Sequence, residues 1–488
     1  MENAPTDPPA AAPVDRIAPP GRRGSALDTS PWIPGRRGIT VGMVGLIGLS
    51  AFEALAVTTA MPVVVKALGG LDLYAMAFAA PAAASVVGVV AAGGWADRRG
   101  PAQPLLAGIA AFVGGLIIAG TATSMATVVA GRAVQGLGAG ALVLALYVVV
   151  GHTYPQSVQP RVFAAFAAAW VVPSLVGPAV AGWLAESVGW RWVFLAIPIL
   201  AVPALATLRP VLTGHTRAPA PIAGGGGADR GRLLRGVGAG AAALALHWGG
   251  QQNTVVAVAT GVVGLTLLAV TVPGLLPAGT LRLARGLPSV IALRGLFGAA
   301  FFGAEVYLPL LLTSERGVRP AHAGLALTVA AIAWAFGSWL RGRSEGRWDD
   351  GRVFRVGAAA LAVGIGAVAL AVWPAVPVAA TILGWGGAGF GMGLAYPTTS
   401  LLTLRLSPPE RFGVNSAALQ VNEAICIAVA LAAAGPVFAA LVDDRPRTAF
   451  LTVLALPVLL ALVAGWVGPR VHPRAADRPG AGGTPRQP

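Results

Sequence analysis

The sequence predicts an all-α polytopic membrane protein with fourteen transmembrane helices. Two observations predict this class. Of the 488 residues, 56% are hydrophobic and only 11% are charged, and apolar runs long enough to cross a bilayer recur along the whole chain. A soluble globular protein carries about a quarter of its residues as charges. The composition therefore excludes a soluble fold and indicates that the bilayer is the solvent of most of this chain.

The apolar runs end at charges, at Gly and Pro residues or at polar clusters, and each is close to the length of about 20 residues that a membrane helix needs. The seventh run is short and contains His247, and glycines interrupt the twelfth. The predicted spans are 38–65, 73–95, 103–122, 125–150, 162–185, 190–212, 234–250, 253–275, 288–313, 320–340, 354–373, 376–400, 413–440 and 447–468.

The net charge of +15 comes from basic residues that lie singly between apolar runs. Because no basic patch is interleaved with aromatic residues, we expect no nucleic-acid partner. With both termini in the cytoplasm, most basic residues, Arg294 and the 341–355 group among them, fall on the cytoplasmic side. Only Arg132 is left inside a span. This positive-inside pattern predicts a multi-pass protein of the cytoplasmic membrane with an even number of helices.

Residues that form disulfides, bind metals or perform hydrolysis are scarce. The single cysteine, Cys426, lies in an apolar run, which excludes a disulfide framework. His247 and His322 have no second ligand at metal spacing, and the chain has no Walker A, nucleophile-elbow or HExxH motif. We therefore expect no metal, no cofactor and no catalytic residue, and we do not expect an enzyme.

The first six and the last six spans look like copies displaced by about 250 residues. The segment GRAVQGLGAG at 131–140 is matched by GWGGAGFGMG at 384–393. Repeats of this kind place a substrate site at their interface near the bilayer midplane. The predicted division is a disordered cytoplasmic tail at 1–37, a six-helix bundle at 38–212, cytoplasmic loops with two inserted helices at 213–287, a second six-helix bundle at 288–468 and a disordered cytoplasmic tail at 469–488.

The loop after the second span reads Gly93-Gly-Trp-Ala-Asp97-Arg98-Arg-Gly100. Gly93 and Gly100 permit a close approach of helices and a tight turn. A carboxylate such as that of Asp97 can cap a helix or pair with a neighbouring charge. The simpler interpretation is a solvated loop that only sets the topology.

Two further motifs lie inside spans. Arg132-Ala-Val-Gln135 places a costly arginine in the fourth span, with Gln135 about one turn away on the same face. Gly177-Pro178-Ala-Val-Ala-Gly182 in the fifth span combines a helix-bending proline with glycines that admit a close partner helix. The alternatives are an arginine that snorkels to the membrane surface and an ordinary kink packed through small residues.

These motifs resemble those of the major facilitator superfamily, and specifically of its fourteen-helix drug:proton antiporter branch. The resemblance implies a major-facilitator-type fold of two six-helix bundles plus two inserted helices. It implies a conformational switch at 93–100, proton coupling at Arg132 and an antiporter motif at 177–182. Glu53, nine residues before Pro62, holds the position of the branch's acidic residue in the first span. Pro101 and Ala102 replace two basic residues that usually follow the switch motif.

Three carboxyl groups lie deep in predicted spans: Glu53, Glu305 and Glu423. Desolvation favours the neutral form of a carboxyl group, which suits a residue that takes up and releases a proton. Glu53 and Glu305 are separated by nearly the repeat offset, so we expect them to face each other across the pseudo-two-fold axis. Each could instead stay protonated or stay paired with an arginine. We expect Glu53 to be the carrier, with Arg132 as its cation.

The sequence thus predicts a monomeric proton-coupled antiporter that exports hydrophobic or amphipathic small molecules by alternating access, driven by the proton gradient. An exporter of a lipid or lipid-linked cell-envelope component is the alternative, and a polytopic membrane enzyme is a distant one. Aromatic residues in the spans line a pocket or simply pack between helices. Candidate residues of the substrate cavity are Thr58, Gln135, Trp170, Tyr307, Gln420 and Asn422.

Overall fold

A computed structural model describes residues 30–155, 158–212, 226–250, 252, 254–344, 347–407 and 412–472. The described residues form helices and turns, with no β-strand among them. The helices are α1 (Pro34–Leu68), α2 (Met76–Arg99), α3 (Ala102–Gly120), α4 (Met125–Thr153), α5 (Gln159–Ala168), α6 (Val171–Leu184), α7 (Arg191–Thr207), α8 (Arg209–Leu212), α9 (Gly226–Gly249), α10 (Thr254–Thr271), α11 (Leu287–Ser314), α12 (Pro320–Arg343), α13 (Asp350–Ala369), α14 (Val378–Leu406), α15 (Phe412–Val442) and α16 (Pro446–Val467).

The helices make the chain a multi-pass membrane protein. Within the described residues, eleven helices are long and apolar enough to cross a membrane. The number is twelve if Val172–Gly189 and Arg191–Thr207, which are bent by 115° at their junction, count as one span. Helix α9, the first inserted helix, is not among them, and it carries Arg230, Arg232 and Arg235 in its first half. The count of fourteen spans stays a prediction.

The predicted fifth span, 162–185, differs from the structure because it is not one continuous helix. Helix α5 ends at Ala168 and α6 begins at Val171. Pro173 follows this break within one turn. A proline has no amide hydrogen and its ring clashes with the carbonyl four residues earlier, so Pro173 weakens the helix at residue 169, where the break lies. The two predicted tails fall largely outside the described residues, as does the loop at 213–225.

The two halves of the chain repeat the same packing. Helix α4 lies between α2 and α3, and α14 lies between α12 and α13. Both contacts depend on glycines at equivalent positions, 253 residues apart. At each of them a β-carbon would come within 2.3 Å of backbone on the neighbouring helix, so no larger residue fits without moving a helix. These positions are Gly136, Gly138 and Gly140 in α4 and Gly389, Gly391 and Gly393 in α14.

We call the side of the bundle where α1 begins and α16 ends the terminal face, and the opposite side the distal face. The two halves are closely packed near the distal face. The hydroxyl of Tyr74, before α2, donates to the carbonyl of Val306 in α11 at 2.7 Å. The carboxylate of Glu186 accepts a hydrogen bond from the backbone amide of Ala321, at the start of α12, at 3.0 Å.

The inserted helices lie against the rest of the bundle. Helix α9 packs on its partner α10, on α2 and on α15. His247 of α9 is completely buried, and its ring occupies the space that a β-carbon on Gly435 of α15 would need. The first inserted helix therefore contacts one helix of each half.

Candidate proton-coupling site

A sealed charge cluster joins α1 to α4. Nη1 of Arg132 donates hydrogen bonds to the Glu53 carboxylate and to the side-chain oxygen of Gln135, and Nε donates to the carbonyl of Ala77 at 3.1 Å. The side chains of Arg132 and Glu53 are only 7% and 6% exposed. Three residues that the sequence indicated are thus in one contact network, shielded from water.

Local structure explains this cluster. Gln135 lies one turn after Arg132 on α4, so both side chains project from one face of the helix. Gly136 lets α4 approach the backbone of α2, which brings the carbonyl of Ala77 within reach of the guanidinium. Two buried charges are tolerated only when they are paired and their remaining hydrogen bonds are made. Arg132 meets this requirement, and it does not snorkel to the membrane surface.

A second charge pair, between Arg294 and Glu423, is not predicted by the charge pattern, which counts Arg294 with the cytoplasmic arginines. Arg294 lies inside α11, two turns after its start. Its Nε donates to Oε2 of Glu423 on α15 at 2.7 Å, and its Nη1 donates to the hydroxyl of Thr399 at 3.3 Å. The guanidinium carbon lies 3.4 Å from the ring centroid of Tyr396. Arg132 is therefore not the only arginine within a predicted span.

The second pair is less shielded than the first. The side chains of Arg294 and Glu423 are 13% and 14% exposed. Gly298, one turn after Arg294, leaves room for the Glu423 side chain, because a β-carbon there would lie 3.0 Å from Cγ of Glu423. The hydroxyl of Tyr147, on α4 of the first half, hydrogen-bonds to Gln420 and lies near this pair. These residues therefore connect the two halves.

The sequence does contain a signal for a functional role of Arg294, because this arginine lies within the predicted ninth span, 288–313. An arginine within a membrane span is a functional candidate by default. Glu423 was recognised as a buried carboxylate, but its cation was not.

Glu305 differs from the other two buried carboxylates, because it makes no hydrogen bond or ion pair with the described residues. It lies on α11 three turns beyond Arg294 and on the same side of the helix. It is partly exposed on a helix whose other central positions are mostly buried. The expectation that Glu305 faces Glu53 stays a prediction.

An aromatic cluster lies between Glu305 and the Arg294–Glu423 pair. Phe301, one turn before Glu305, stacks on Trp385 with ring centroids 4.6 Å apart, and it meets the edge of Trp334 at 5.4 Å. The ring centroids of Trp334 and Tyr396 are 5.0 Å apart, and the guanidinium of Arg294 lies over the ring of Tyr396. Most of these side chains pack against one another, as the simpler interpretation of the aromatic residues proposed.

The remaining cavity candidates have mostly structural contacts. Thr58 donates to the carbonyl of Ala54 in its own helix at 2.7 Å. Asn422 donates to the carbonyl of Ile291 at 2.7 Å. Tyr307 is 1% exposed, and its ring packs between Tyr74 and Phe438 with centroid distances of 6.2 and 5.1 Å. Trp170 lies at the break between α5 and α6 and is 44% exposed.

At the predicted switch motif, the side chain of Asp97 is outside the described part of the structure. Gly100 ends α2 with a φ of 76°, a conformation that favours glycine. Gly93 and Arg98 lie in the last turns of α2, and a β-carbon on Gly93 would contact Leu144 of α4 at 3.3 Å. Gly100 therefore forms the turn after α2 and Gly93 lies at a close helix contact, and a role of this motif as a conformational switch stays a prediction.

The equivalent loop of the second half has a buried polar network around an arginine, whose Nη1 has no hydrogen-bond partner among the described residues. Arg341, near the end of α12, is 4% exposed. Its Nε donates to the hydroxyl of Thr398 on α14 at 2.9 Å, and its Nη2 donates to the carboxylate of Asp350 at the start of α13. The charge pattern had assigned Arg341 only to the cytoplasmic loop, whereas it ties three helices together at the terminal face.

The motif at 177–182 forms a direct contact between the halves. A β-carbon on Gly182 would lie 2.5 Å from Cα of Ala321, and one on Gly324 would lie 2.9 Å from Cβ of Pro178. Helices α6 and α12 therefore cross through small residues on both sides. Gly177 faces α1 instead, where a β-carbon would lie 3.4 Å from the ring of Phe52.

Comparison with known proteins agrees with this arrangement. A family model described as the Major Facilitator Superfamily matches residues 43–431. The chain is 26% identical over 447 residues to an uncharacterized MFS-type transporter of Mycobacterium tuberculosis, a match that covers 87% of the chain and 63% of that relative's length. It is 26% identical to a probable multidrug-efflux transporter of the same organism, over 82% of the chain and 87% of the relative.

A third relative is the methylenomycin A resistance protein of Streptomyces coelicolor, which is 27% identical over 77% of the chain and 80% of that protein. Among solved structures, a peptide transporter of the POT type bound to sulfate aligns with a TM-score of 0.64 at 16% identity, covering 88% of the chain and 94% of that structure. The xylose transporter XylE of E. coli aligns with a TM-score of 0.57 at 14% identity, with the same coverages. The family match over most of the sequence, together with this shared fold, places the chain in the major facilitator superfamily.

Proposed function

We propose that this transporter exports hydrophobic or amphipathic small molecules in exchange for protons, by alternating access between the two halves. The observation that carries the proposal is the set of three carboxyl groups inside its helices. Glu53 and Glu423 are paired with arginines on neighbouring helices, and Glu305 has no ion-pair partner within the described ranges. Intramembrane ionisable residues mark ion pathways, and a carboxyl group that alternates between partners can bind and release a proton.

The substrate class follows from the side chains around these groups. The aromatic cluster of α11, α12 and α14 offers apolar surface, and the residues facing it offer few hydrogen bonds for a sugar or a small ion. We expect a cation or a polar end of the substrate to bind at the partly exposed Arg294–Glu423 pair or at Glu305. An amphipathic molecule with one polar end fits this distribution. Relatives named for multidrug efflux and for antibiotic resistance support the same class.

The first experiment identifies a substrate and then tests the coupling. Purified full-length protein is screened for thermal stabilisation by a panel of lipophilic drugs, dyes and lipids. Compounds that stabilise it are then measured for transport in proteoliposomes with and without a pH gradient. We expect accumulation only with the gradient, and its loss when an ionophore dissipates the gradient. Equal accumulation without a gradient would contradict proton coupling.

A lipid substrate is the second candidate, and one observation favours it. An apolar groove of about 430 Å³ lies on the outer surface of the bundle against the first inserted helix, where a lipid chain could enter from the bilayer. If lipids rather than drugs stabilise the protein in the panel, this candidate replaces the first. The groove is lined by Met76, Ala80, Ala126, Val129, Ala130, Ala133, Leu244, Ala245 and Trp248.

A further inference from the structure

We propose that Glu305 of α11 binds the transported proton, and that Glu53 stays ionised as the permanent partner of Arg132. The proposal rests on the proton coupling proposed above and assigns it to one residue. It differs from the prediction made from the sequence, in which Glu53 carries the proton. Three observations carry it: the repeat, the polar groups next to Glu305, and the difference in access between the two carboxylates.

The repeat explains why Glu305 has no counterpart of Arg132. The glycines of α4 and α14 align the two halves with an offset of 253 residues. With this offset, the position of Arg132 in α4 is occupied in α14 by Trp385. Glu53 and Glu305 lie at nearly equivalent positions on the first helix of their halves. The first half therefore has a carboxylate paired with a cation, and the second has an indole at the position of that cation.

Two side chains of α14 offer unpartnered polar groups close to the turn of α11 that precedes Glu305. Trp385 stacks on Phe301, one turn before Glu305, and Thr381 lies one turn from Trp385, toward the distal face. Both are completely buried, and the indole Nε1 and the hydroxyl of Thr381 have no hydrogen-bond partner among the described residues. An indole N–H donates to a carboxylate, and a threonine hydroxyl either donates to a carboxylate or accepts from a protonated acid.

Access also separates the two carboxylates. Glu53 is 5% exposed, and its oxygen is bonded to Arg132. To protonate it, the buried pair would have to separate and leave the guanidinium charge without a counterion, which is costly. Glu305 is partly exposed and makes no hydrogen bond or ion pair with the part of the chain that the structure describes. A proton can therefore reach it and form an O–H bond without disrupting an existing contact.

No charged side chain acts on Glu305 among the described residues. On the helices packed against α11, Glu53 and Glu423 have their own arginines. Tyr307 of α11 itself packs between Tyr74 and Phe438. The other charged groups of these helices lie near helix ends: Arg36, Arg37 and Lys66 on α1, His322, Arg341 and Arg343 on α12, Asp350, Arg352 and Arg355 on α13, Arg405 on α14 and Arg447 on α16.

Protonation of Glu305 thus changes the charge of the second half at a site where none of the described residues compensates that charge. The neutral acid is tolerated in an apolar environment and the bare carboxylate is not. The conformation that seals this site is therefore favoured when the proton is bound, and the conformation that admits water is favoured after release. The proton leaves as the O–H bond breaks and water takes it up.

Infrared difference spectroscopy of the purified full-length protein during a pH titration tests the assignment without a substrate. We expect the carbonyl stretch of a protonated carboxylic acid to appear in the wild type as the pH falls and to disappear as the pH rises. This band should be missing from the spectra of Glu305→Gln and present again in those of Glu305→Asp. The band should persist in Glu53→Gln and in the control Glu315→Gln, at the end of the same helix. If Glu53→Gln alone fails to fold, the double variant Glu53→Gln/Arg132→Gln replaces it.

A band that is lost in Glu53→Gln and kept in Glu305→Gln would overturn the assignment, as would the absence of any titrating carboxyl band in the wild type.

A second experiment measures the transport of ethidium, a planar amphipathic cation, into proteoliposomes. Glu305→Gln should abolish uptake driven by a pH gradient but keep ethidium exchange at equal pH. Failure of the wild type to transport would count against the proposed function, whereas the infrared arm alone decides the role of Glu305.

Discussion

At the scale of single residues, the three buried carboxyl groups have three different environments. Glu53 is bonded to Arg132 in a sealed cluster, Glu423 is bonded to Arg294 at a partly open surface, and Glu305 has no partner among the described residues. Because a buried charge depends on its neighbours for stability, the same residue type has a different role at each position. We propose that the first is a structural pair and that the third binds the transported proton, while Gln420, one turn before the second, hydrogen-bonds to Tyr147 of the other half.

The Arg132–Glu53 pair gives a stability prediction. Arg132→Gln leaves the Glu53 carboxylate buried without a cation, so we expect a loss of about 3–5 kcal/mol in the free energy of unfolding. The double variant Glu53→Gln/Arg132→Gln removes both charges and should lose clearly less than the sum of the single variants. Thermal unfolding of the purified protein measures both. Strict additivity would show that the two side chains do not depend on each other.

At the scale of helices, glycines decide which elements touch. Gly138 of α4 contacts the backbone of α3, where a β-carbon would lie 2.2 Å from the amide nitrogen of Phe112. In membranes, helices associate largely through close packing of small residues, since lipid is as apolar as the side chains. The equivalent Gly391 of α14 has the same relation to α13. The repeat in the sequence is thus a repeat of helix contacts.

These contacts predict a position-specific effect of enlarging a glycine. Gly138→Val should separate α3 from α4 and cost about 1–3 kcal/mol or more, as overpacking does in other cores. The matched control is Gly114→Val on α3, because a β-carbon there meets no atom within 4 Å. Thermal unfolding and gel-filtration homogeneity compare the two variants. Equal behaviour of the two would contradict the close packing of α3 and α4.

Much of this arrangement could be predicted from the sequence, because membrane helices and their contacts leave local signals. The apolar runs predicted most helix positions, and the segments at 131–140 and 384–393 marked the glycine-packed helices. The break before Pro173 was missed because apolar composition alone does not reveal a local interruption. Arg294 was missed because it was counted with the cytoplasmic arginines, and its partner Glu423 lies on a distant helix of the chain.

At the scale of the whole molecule, the two halves meet in different ways at different depths. Near the distal face they are joined by the Tyr74–Val306 hydrogen bond and by the glycine-mediated contact of α6 with α12. Nearer the terminal face, Tyr147 reaches Gln420 and the Arg294–Glu423 pair. Alternating access requires the contacts near the distal face to open when the contacts near the terminal face close. The orientation of these faces across the membrane is a further prediction.

Cysteine labelling tests this orientation in a Cys426→Ala background. With both termini cytoplasmic, a membrane-impermeant maleimide added outside cells should label cysteines placed at Glu315 or Asp443. It should not label cysteines placed at Arg230 or Arg347 until the membrane is permeabilised. External labelling at Arg347 would contradict the predicted topology, and expression and labelling after permeabilisation provide the control.

Proton exchange in proteoliposomes is the most direct test of the central claim. A pH-sensitive dye trapped inside liposomes reports proton movement when a substrate identified in the thermal panel is added outside at equal pH. The wild type should move protons out as the substrate enters, and Glu305→Gln should transport the substrate in exchange assays without moving protons. Substrate entry into wild-type liposomes with no change in internal pH would contradict proton-coupled transport.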